Sequence, residues 1–362
     1  MSTVVVTGAT GNLGSAVVSL LLNRDHEVVG LARRTRTQGG AVPRSWAHGR
    51  VKWVDVDLTD RGGAHALRDL VSGADALIHL AWAFHPMRRR EYLRQACVGV
   101  LDRVSRIVLD HSEAQLVHVS SVAAYSPRQT RDLVDETWPR EGIPGATYSE
   151  LKVQAERVLT AHAGGVGAAA RVAVVRPCLV GQYAAGGPML RCGVPAWIPS
   201  RTLQHLPLVP VDDDFGLQFI HADDVAEALV RIVEQRASGS FNVAGEGLVT
   251  GNDIALALGA RPVELRQTVV RSALAAAWHA HLQPLDPSWV DMALQAPWVD
   301  SVRARSVLGW RPVHSGRDVL HELVRGMADG AGGGSSALRP RTVVDGTRNA
   351  LLRGPVARRV LT

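Results

Sequence analysis

Tyr148 and Lys152 are four residues apart in a stretch with a helical pattern, so their side chains are expected on one face of a helix. A phenol titrates at about pH 10, which is too high for efficient proton exchange at neutral pH. A neighbouring ammonium group favours the phenolate, so Lys152 is expected to lower the pKa of Tyr148. Only two of the chain's 40 basic residues are lysines. The lysine ammonium has N–H donors that can rotate, so it can hydrogen-bond a cofactor ribose more readily than the planar, rigid guanidinium of arginine.

Ser121 completes a candidate catalytic set with Tyr148 and Lys152. It follows an apolar stretch, residues 115–120, that has the pattern of a buried strand. Its hydroxyl is expected to hydrogen-bond the substrate oxygen that gains or loses a proton. Tyr-x-x-x-Lys alone also fits an exposed helical pair. The serine-bearing strand, together with a glycine-rich turn further upstream, favours catalysis.

That glycine-rich turn lies between the first predicted strand, Thr3–Thr7, and the first predicted helix, Asn12–Leu22. A dinucleotide pyrophosphate needs close approach of the backbone, which a Cβ would obstruct, and free N–H groups at a helix N-terminus. The position between a strand and a helix makes the spacing more specific than the glycines alone. The residues predicted to bind the cofactor here are Gly8, Thr10, Gly11, Asn12, Leu13 and Gly14.

The second predicted strand, Glu27–Ala32, ends without the acidic residue that would bind a ribose 2′-hydroxyl. Arg33 and Arg34 follow it, and arginine can hold a 2′-phosphate with two hydrogen bonds. This favours NADP(H) as the cofactor, with NAD(H) as the alternative. Because arginine is abundant throughout the chain, a solvated basic loop also fits these residues.

Together these motifs resemble the extended short-chain dehydrogenase/reductase superfamily, which includes the NAD-dependent epimerase/dehydratase family and dihydroflavonol-type reductases. The resemblance covers roughly residues 3–325. It is carried further by Asp57-Leu58, His79-Leu80-Ala81, Arg176-Pro177, His221-Ala222-Asp223-Asp224-Val225-Ala226 and Leu308-Gly309-Trp310-Arg311-Pro312.

The resemblance implies roles for several of these residues. Asp57 and Leu58 would contact the adenine, Leu80 and Ala81 would lie beside the cofactor, and Pro177 would lie near the nicotinamide. Tyr148 would donate or accept the proton, with Lys152 as its support and Ser121 polarising the substrate. Hydride would pass between the nicotinamide and a carbinol or carbonyl carbon.

The sequence also departs from this family in two places. The family's Asn-Val-x-Gly-Thr stretch corresponds to residues 96–100, where no asparagine is present, which puts a backbone-supporting role in doubt. Leu217 stands where nucleotide-sugar enzymes carry an arginine, so a nucleotide-diphosphate sugar is disfavoured as substrate. Arg191 or Arg201 remains as a substitute for that arginine.

Trp82 and His85 follow the fourth predicted strand, where the resemblance implies one wall of a substrate pocket. We expect them to contact a small-molecule substrate together with Ser121 and Tyr148. Packing of a surface loop is the alternative for Trp82 and His85.

Short apolar strands alternate with helical segments through the first half of the chain, which is typical of βαβ units. We therefore predict an α/β fold, a Rossmann-type doubly wound parallel sheet with a smaller, mostly helical C-terminal substrate lobe. The predicted dinucleotide-binding domain covers residues 1–180, with return segments near 217–247. Residues 181–216 and 248–328 would form the lobe, and 329–362 a Gly-rich linker and basic tail. The resemblance also implies a homodimer through helices 91–110 and 147–162.

Composition limits the partners. Six arginines and one aspartate in residues 331–362 supply +5 of the net charge of +6, which leaves a nearly neutral body and disfavours nucleic acid. The apolar runs fall short of the roughly 20 residues that span a bilayer, so no membrane association is expected. Three cysteines form neither a metal spacing nor a disulfide framework, so we expect no metal and a cytoplasmic location.

The sequence thus predicts an NADPH-dependent reductase of a ketone or aldehyde on a small biosynthetic intermediate, with Tyr148 as proton donor. The first alternative is a sugar or nucleotide-sugar epimerase or dehydratase that retains its cofactor. The second is a non-catalytic, NADP-binding regulatory protein. Proteins of that last kind typically lose the tyrosine or the lysine, and both are present here.

Overall fold

A computed structural model describes residues 1–33, 49–84, 89–165, 167–195, 198–211, 215–283, 285–335 and 337–340. Two predicted site residues, Arg34 and His85, lie outside these ranges. Within them, no helix is both long and apolar enough to cross a bilayer. The same residues hold no group of three or more His, Cys, Asp or Glu side chains that could bind a metal ion.

Thirteen strands are present in the described chain, and seven of them form one sheet. In chain order they are β1 Thr3–Thr7, β2 Glu27–Ala32, β3 Val51–Asp55, β4 Ala76–His79, β5 Gln115–Val119, β6 Val172–Pro177, β7 Leu179–Gly181, β8 Leu208–Val211, β9 Gly216–Leu217, β10 Phe219–His221, β11 Gly239–Val243, β12 Val249–Thr250 and β13 Arg261–Glu264. The sheet is parallel, in the order β3-β2-β1-β4-β5-β6-β11. The strand order reverses between β1 and β4, and ligands of such sheets bind at the carboxyl ends beside that point.

Twelve α-helices alternate with these strands in the described part of the chain. They are α1 Asn12–Asn23, α2 Arg61–Val71, α3 Arg90–Arg94, α4 Val100–His111, α5 Thr147–His162, α6 Gly186–Gly193, α7 Ala222–Gln235, α8 Gly251–Ala257, α9 Gln267–His279, α10 Ser288–Gln295, α11 Val302–Leu308 and α12 Gly316–Ala328. Parallel strands covered on both faces are apolar along their whole length. Val4 and Val6 accordingly pack with α1 and α7, while Val5 packs with α2, α4 and α5.

The predicted Rossmann-type sheet and helical C-terminal region are confirmed. Strands β1 and β2 have the predicted bounds, β5 ends one residue before the predicted stretch 115–120, and α5 covers the predicted helix 147–162. The predicted helix 91–110 is interrupted by a π-helical turn, Gln95–Gly99, between α3 and α4. Residues 181–216, predicted to belong to the mostly helical lobe, contain α6. The division into domains stays a prediction.

Candidate active site

The glycine-rich turn joins β1 to α1 at the carboxyl edge of the sheet. Gly8 has a φ of +68°, and a Cβ there would lie 2.8 Å from the Ala81 nitrogen. A Cβ on Gly14 would lie 2.3 Å from the Gly8 carbonyl oxygen, so helix and turn pack without room for a side chain. Gly11 is the N-cap of α1, and among the described residues no side chain caps the N–H groups of its first turn. These groups are therefore available to an anionic ligand such as a phosphate.

Other parts of the chain hold this turn in place. The Gln182 amide donates to the Asn12 carbonyl and side-chain oxygens, at 2.7 Å each. The Ser335 hydroxyl donates to the Thr10 carbonyl at 2.7 Å. Leu13 packs on the core beneath α1. The Gly-rich segment expected to be a linker thus contributes a contact to the turn.

Arg33 and Asp57 follow neighbouring strands, β2 and β3. Arg33 is exposed, and its guanidinium donates to the Tyr92 hydroxyl at 3.3 Å. Burial raises the pKa of Asp57, but hydrogen bonds from the hydroxyl and N–H of Thr59 and the charge of Arg33 outweigh it, so the net pKa is lowered. Leu58 is buried. The predicted adenine and 2′-phosphate contacts therefore lie at one corner of the sheet.

The three predicted catalytic residues lie together beyond β5. Ser121 caps the short turn after β5, where its hydroxyl accepts the Ala123 N–H at 3.1 Å. Tyr148 is in the first turn of α5, within hydrogen-bonding reach of Ser121. Lys152, one turn later and 3% exposed, donates to the Val119 carbonyl at 3.0 Å. Leu80 and Ala81 lie across from them after β4, where both N–H groups donate to the Thr7 hydroxyl.

The electrostatics of this set differ from the expectation. Burial raises the pKa of Tyr148 far above its ordinary value, and the Ser121 hydroxyl offsets only part of that rise. Burial lowers the pKa of Lys152 to about 7, against the opposing effects of Cys97 and Glu156. The predicted lowering of the Tyr148 pKa by Lys152 is therefore wrong. The ammonium lies over the Trp82 ring, 3.6 Å from its centroid, and 5.7 Å from that of Tyr148.

Cofactor affinity should consequently depend on pH. As the pH rises from 7 to 9, Lys152 loses the proton that makes it a charged donor, and binding of a nicotinamide dinucleotide is expected to weaken about tenfold. His79, with a pKa of about 3, and Cys97, with one of about 11, do not titrate in that window. Fluorescence titration with NADPH measures the effect. The Lys152→Met variant should bind weakly at every pH, and a flat profile in the unaltered chain would contradict the assignment.

An aromatic cluster surrounds Tyr148. Trp82 meets its ring edge-on at 6.1 Å, Phe84 stacks on it at 5.6 Å, and Trp289 lies at 5.0 Å. Trp82 thus packs inside the site and also covers Lys152. Neither Phe84 nor Trp289 was predicted from the sequence as a site residue. Composition alone gave no signal that α10 reaches Tyr148.

Cys97 is a further residue that sequence reasoning missed. It lies in the π-helical turn, where its sulfur accepts the Ala83 N–H at 3.3 Å and donates to the Ala83 carbonyl at 3.5 Å. This thiol holds the loop that carries Trp82 and Phe84. A backbone support is therefore present in the segment 96–100, although no asparagine makes it.

The end of β6 is joined by hydrogen bonds to α5, the helix that carries Tyr148 and Lys152. Pro177 is buried at the carboxyl end of this strand. The preceding residue, Arg176, is fully buried and makes two hydrogen bonds to Glu156 of α5, at 2.9 and 2.8 Å. Glu156 continues the face of α5 that carries Tyr148 and Lys152, because the three residues follow one another at four-residue spacing.

Leu217, at the position where nucleotide-sugar enzymes carry an arginine, has apolar surroundings. Leu217, in β9, packs against the cluster formed by α12 and its neighbours. The Arg191 guanidinium donates to the carbonyls of Ala337, at 2.9 Å, and Arg339. Arg201 lies on an exposed turn.

The chain is similar in sequence to a known family and to several known proteins. The sequence model of the NAD dependent epimerase/dehydratase family matches residues 4–244. An uncharacterized protein of Mycobacterium tuberculosis is 25% identical over 323 residues, which are 88% of this chain and 29% of that protein. The chain thus spans less than a third of the length of that curated relative. The fatty acid hydroxylase uhd1 of Mycosarcoma maydis is 24% identical, over 58% of this chain and 76% of that protein.

Solved structures show the same fold. A UDP-N-acetylglucosamine 4-epimerase from Bacillus cereus has a TM-score of 0.60 at 16% identity, covering 90% of this chain and 99% of that one. The dTDP-glucose 4,6-dehydratase DesIV from Streptomyces venezuelae, solved with NAD and TYD bound, has a TM-score of 0.65 at 20% identity. In that case 90% of this chain and 97% of the other are covered.

Proposed function

Since this chain belongs to the NAD dependent epimerase/dehydratase family, we propose that it is an NADPH-dependent reductase of a ketone or aldehyde on a small biosynthetic intermediate. The observation that carries the proposal is the convergence of Ser121, Tyr148 and Lys152 beside a turn shaped for a dinucleotide. All three lie near the carboxyl ends of the strands, at the point where the strand order reverses.

The chain's own residues fit a dinucleotide. The turn at Gly8 and Gly14 has no room for a side chain, and α1 presents uncapped N–H groups there for the pyrophosphate. Arg33 would hold the 2′-phosphate, Asp57 would contact the adenine, and Lys152 would donate to a ribose hydroxyl. When bound, the cofactor supplies the hydride that reduces the carbonyl carbon.

The state of Tyr148 favours reduction. Tyr148 is half-buried, and this burial raises the pKa of its phenol, so at neutral pH it holds a proton that it can give to the oxygen of a carbonyl that is becoming an alkoxide. Ser121 would donate to, or accept from, the same oxygen and hold it near the phenol. An epimerase would instead begin by removing a proton from a carbinol, a step that starts from the phenolate.

The surroundings of Leu217 favour a substrate without a diphosphate. An apolar side chain packed against α12 cannot bind phosphate oxygens, and Arg191 is engaged with main-chain carbonyls. The proposal therefore concerns a carbonyl compound rather than a nucleotide sugar.

Purified protein distinguishes the reductase from its rivals. Loss of NADPH absorbance after addition of carbonyl compounds, with a cofactor that exchanges freely on gel filtration, is expected for the reductase. A cofactor that stays bound, never exchanges and shows no net oxidation would instead indicate an epimerase or dehydratase. Binding of NADPH without turnover of any compound would indicate the regulatory protein.

Arg33 should decide the choice between the two cofactors. Arg33→Ala is expected to lower the ratio of kcat/KM for NADPH to that for NADH by about tenfold or more, because a charge-assisted hydrogen bond to the 2′-phosphate is lost. Arg50→Ala is the matched control, since Arg50 is also exposed but precedes β3 and pairs with Asp25. An unchanged ratio in Arg33→Ala would remove the argument for NADPH.

A further inference from the structure

The ring of Tyr148 is flanked by aromatic side chains from two distant parts of the chain. Phe84 comes from the loop after β4 and Trp289 from α10. Phe84 stacks on Tyr148 at 5.6 Å with 13° between the ring planes, and Trp289 lies 5.0 Å from it. Phe84 and Trp289 are themselves 6.3 Å apart and inclined by 28°. The phenol that would meet the substrate therefore lies among ring faces.

This cluster is apolar on one side and open on the other. Tyr148 and Trp289 pack against a buried group of apolar side chains, Ala123, Ile143, Ala146 and Met292. Phe84, in contrast, is 47% exposed. Binding sites for small molecules are lined mainly by apolar and aromatic side chains with a few placed polar groups, which is the composition found around the Tyr148 hydroxyl.

The charged side chains around the cluster are engaged elsewhere. The Lys152 ammonium lies over the face of Trp82 and donates to a main-chain carbonyl. Asp291, two residues after Trp289, accepts hydrogen bonds from Arg271, one of them 2.9 Å long. Of the residues that the structure describes here, the aromatic rings rather than these two charged groups are therefore available to a ligand.

We propose that the site takes a flat, apolar carbonyl compound, namely an aryl or conjugated cyclic ketone or aldehyde. Its ring lies against Phe84 and Trp289 while its carbonyl oxygen meets the Tyr148 hydroxyl. Aromatic rings attract one another in stacked and edge-to-face geometries, beyond the burial of their area. This inference rests on the proposed reductase function and adds the substrate class to it.

Two ketones of similar size test the class, acetophenone with a flat ring and cyclohexyl methyl ketone with a puckered one. Because they differ in intrinsic reactivity, the deciding quantity is how a substitution changes their ratio of kcat/KM for NADPH oxidation. Trp289→Leu keeps an apolar side chain but removes the ring face, so it should lower the acetophenone preference about tenfold by raising KM. Trp289→Phe keeps a ring face and should preserve the preference.

The outcomes distinguish failure of the proposed substrate class from failure of the proposed reductase function. An unchanged ratio in Trp289→Leu, with both ketones still reduced, overturns ring recognition and leaves the reductase standing. If no carbonyl compound is reduced, the proposed function fails, and calorimetric titration of the NADP⁺-loaded chain with both ketones decides the class. Tighter binding of acetophenone that Trp289→Leu removes supports the inference, and equal binding overturns it. Turnover of UDP-glucose in preference to both ketones overturns it as well.

Discussion

Replacing Tyr148 with phenylalanine is expected to lower kcat for carbonyl reduction about 10³-fold while leaving the affinity for NADPH unchanged. The substitution removes only the hydroxyl, and a positioned proton donor contributes about 10²- to 10⁴-fold to a rate. The phenylalanine ring can still pack between Phe84 and Trp289, so the aromatic cluster and the fold should persist. Single-turnover measurements of NADPH oxidation separate the chemical step from binding and product release.

The control for this experiment is Tyr183→Phe. Tyr183 is a partly exposed tyrosine of the lobe whose hydroxyl donates to Asp329, and it has no part in the proposed chemistry. Its replacement should leave kcat within about twofold, within the small effects usual for surface substitutions. Retention of more than about a tenth of the activity in Tyr148→Phe would show that another group protonates the substrate. Unchanged biological activity in that variant would revive the interpretation as a non-catalytic binding protein.

Local patterns in the sequence were sufficient for the sheet and for the central site residues. The uninterrupted Val4-Val5-Val6 run identifies a strand buried on both faces, and the structure has that strand. Tyr148 and Lys152 lie on one helical turn, so their spacing alone predicts that they share a face. Glu156 continues the same spacing, and the sequence could have identified it as a third member of that face.

Contacts between distant segments could not be predicted in this way. Trp289 reaches Tyr148 only because α10 folds back over the carboxyl edge of the sheet, and no local periodicity encodes that return. The Ser335 contact with Thr10 joins residues 325 positions apart. The prediction that the pKa of Tyr148 is lowered was wrong for a related reason. This pKa depends on how far the fold buries the phenol, which the spacing of Tyr148 and Lys152 along the helix does not reveal.

The stability of the site depends on an ion pair beneath it, between Glu156 of α5 and Arg176 of β6. Glu156 is 3% exposed and Arg176 is fully buried. The guanidinium also donates to the Tyr125 hydroxyl at 2.9 Å. Burial raises the pKa of Glu156, but hydrogen bonds and the charge of Arg176 outweigh it and lower the pKa overall. This pair therefore contributes stability above the ordinary carboxyl pKa, and that contribution is lost as the pH falls below about 4.

Replacing Glu156 with leucine is expected to lower the free energy of unfolding by about 3–5 kcal/mol, because it leaves the Arg176 charge buried without its carboxylate. Urea denaturation at pH 7 measures the loss, and the acid-dependent part of the stability should shrink in the variant. Glu150→Leu is the matched control, since this residue of the same helix is more exposed and pairs with Arg90, so the loss should stay within about 1 kcal/mol.

The double variant Glu156→Leu/Arg176→Met distinguishes a buried charge from a loss of packing. It removes the stranded guanidinium together with its partner, so it should recover most of the stability lost in Glu156→Leu. Equal losses in the single and the double variant would mean that α5 is held to β6 by shape rather than by the ion pair. Because α5 also carries Tyr148 and Lys152, the double variant should recover turnover in proportion to its recovered stability. If it recovers stability but not turnover, the Glu156 carboxylate itself positions the catalytic face.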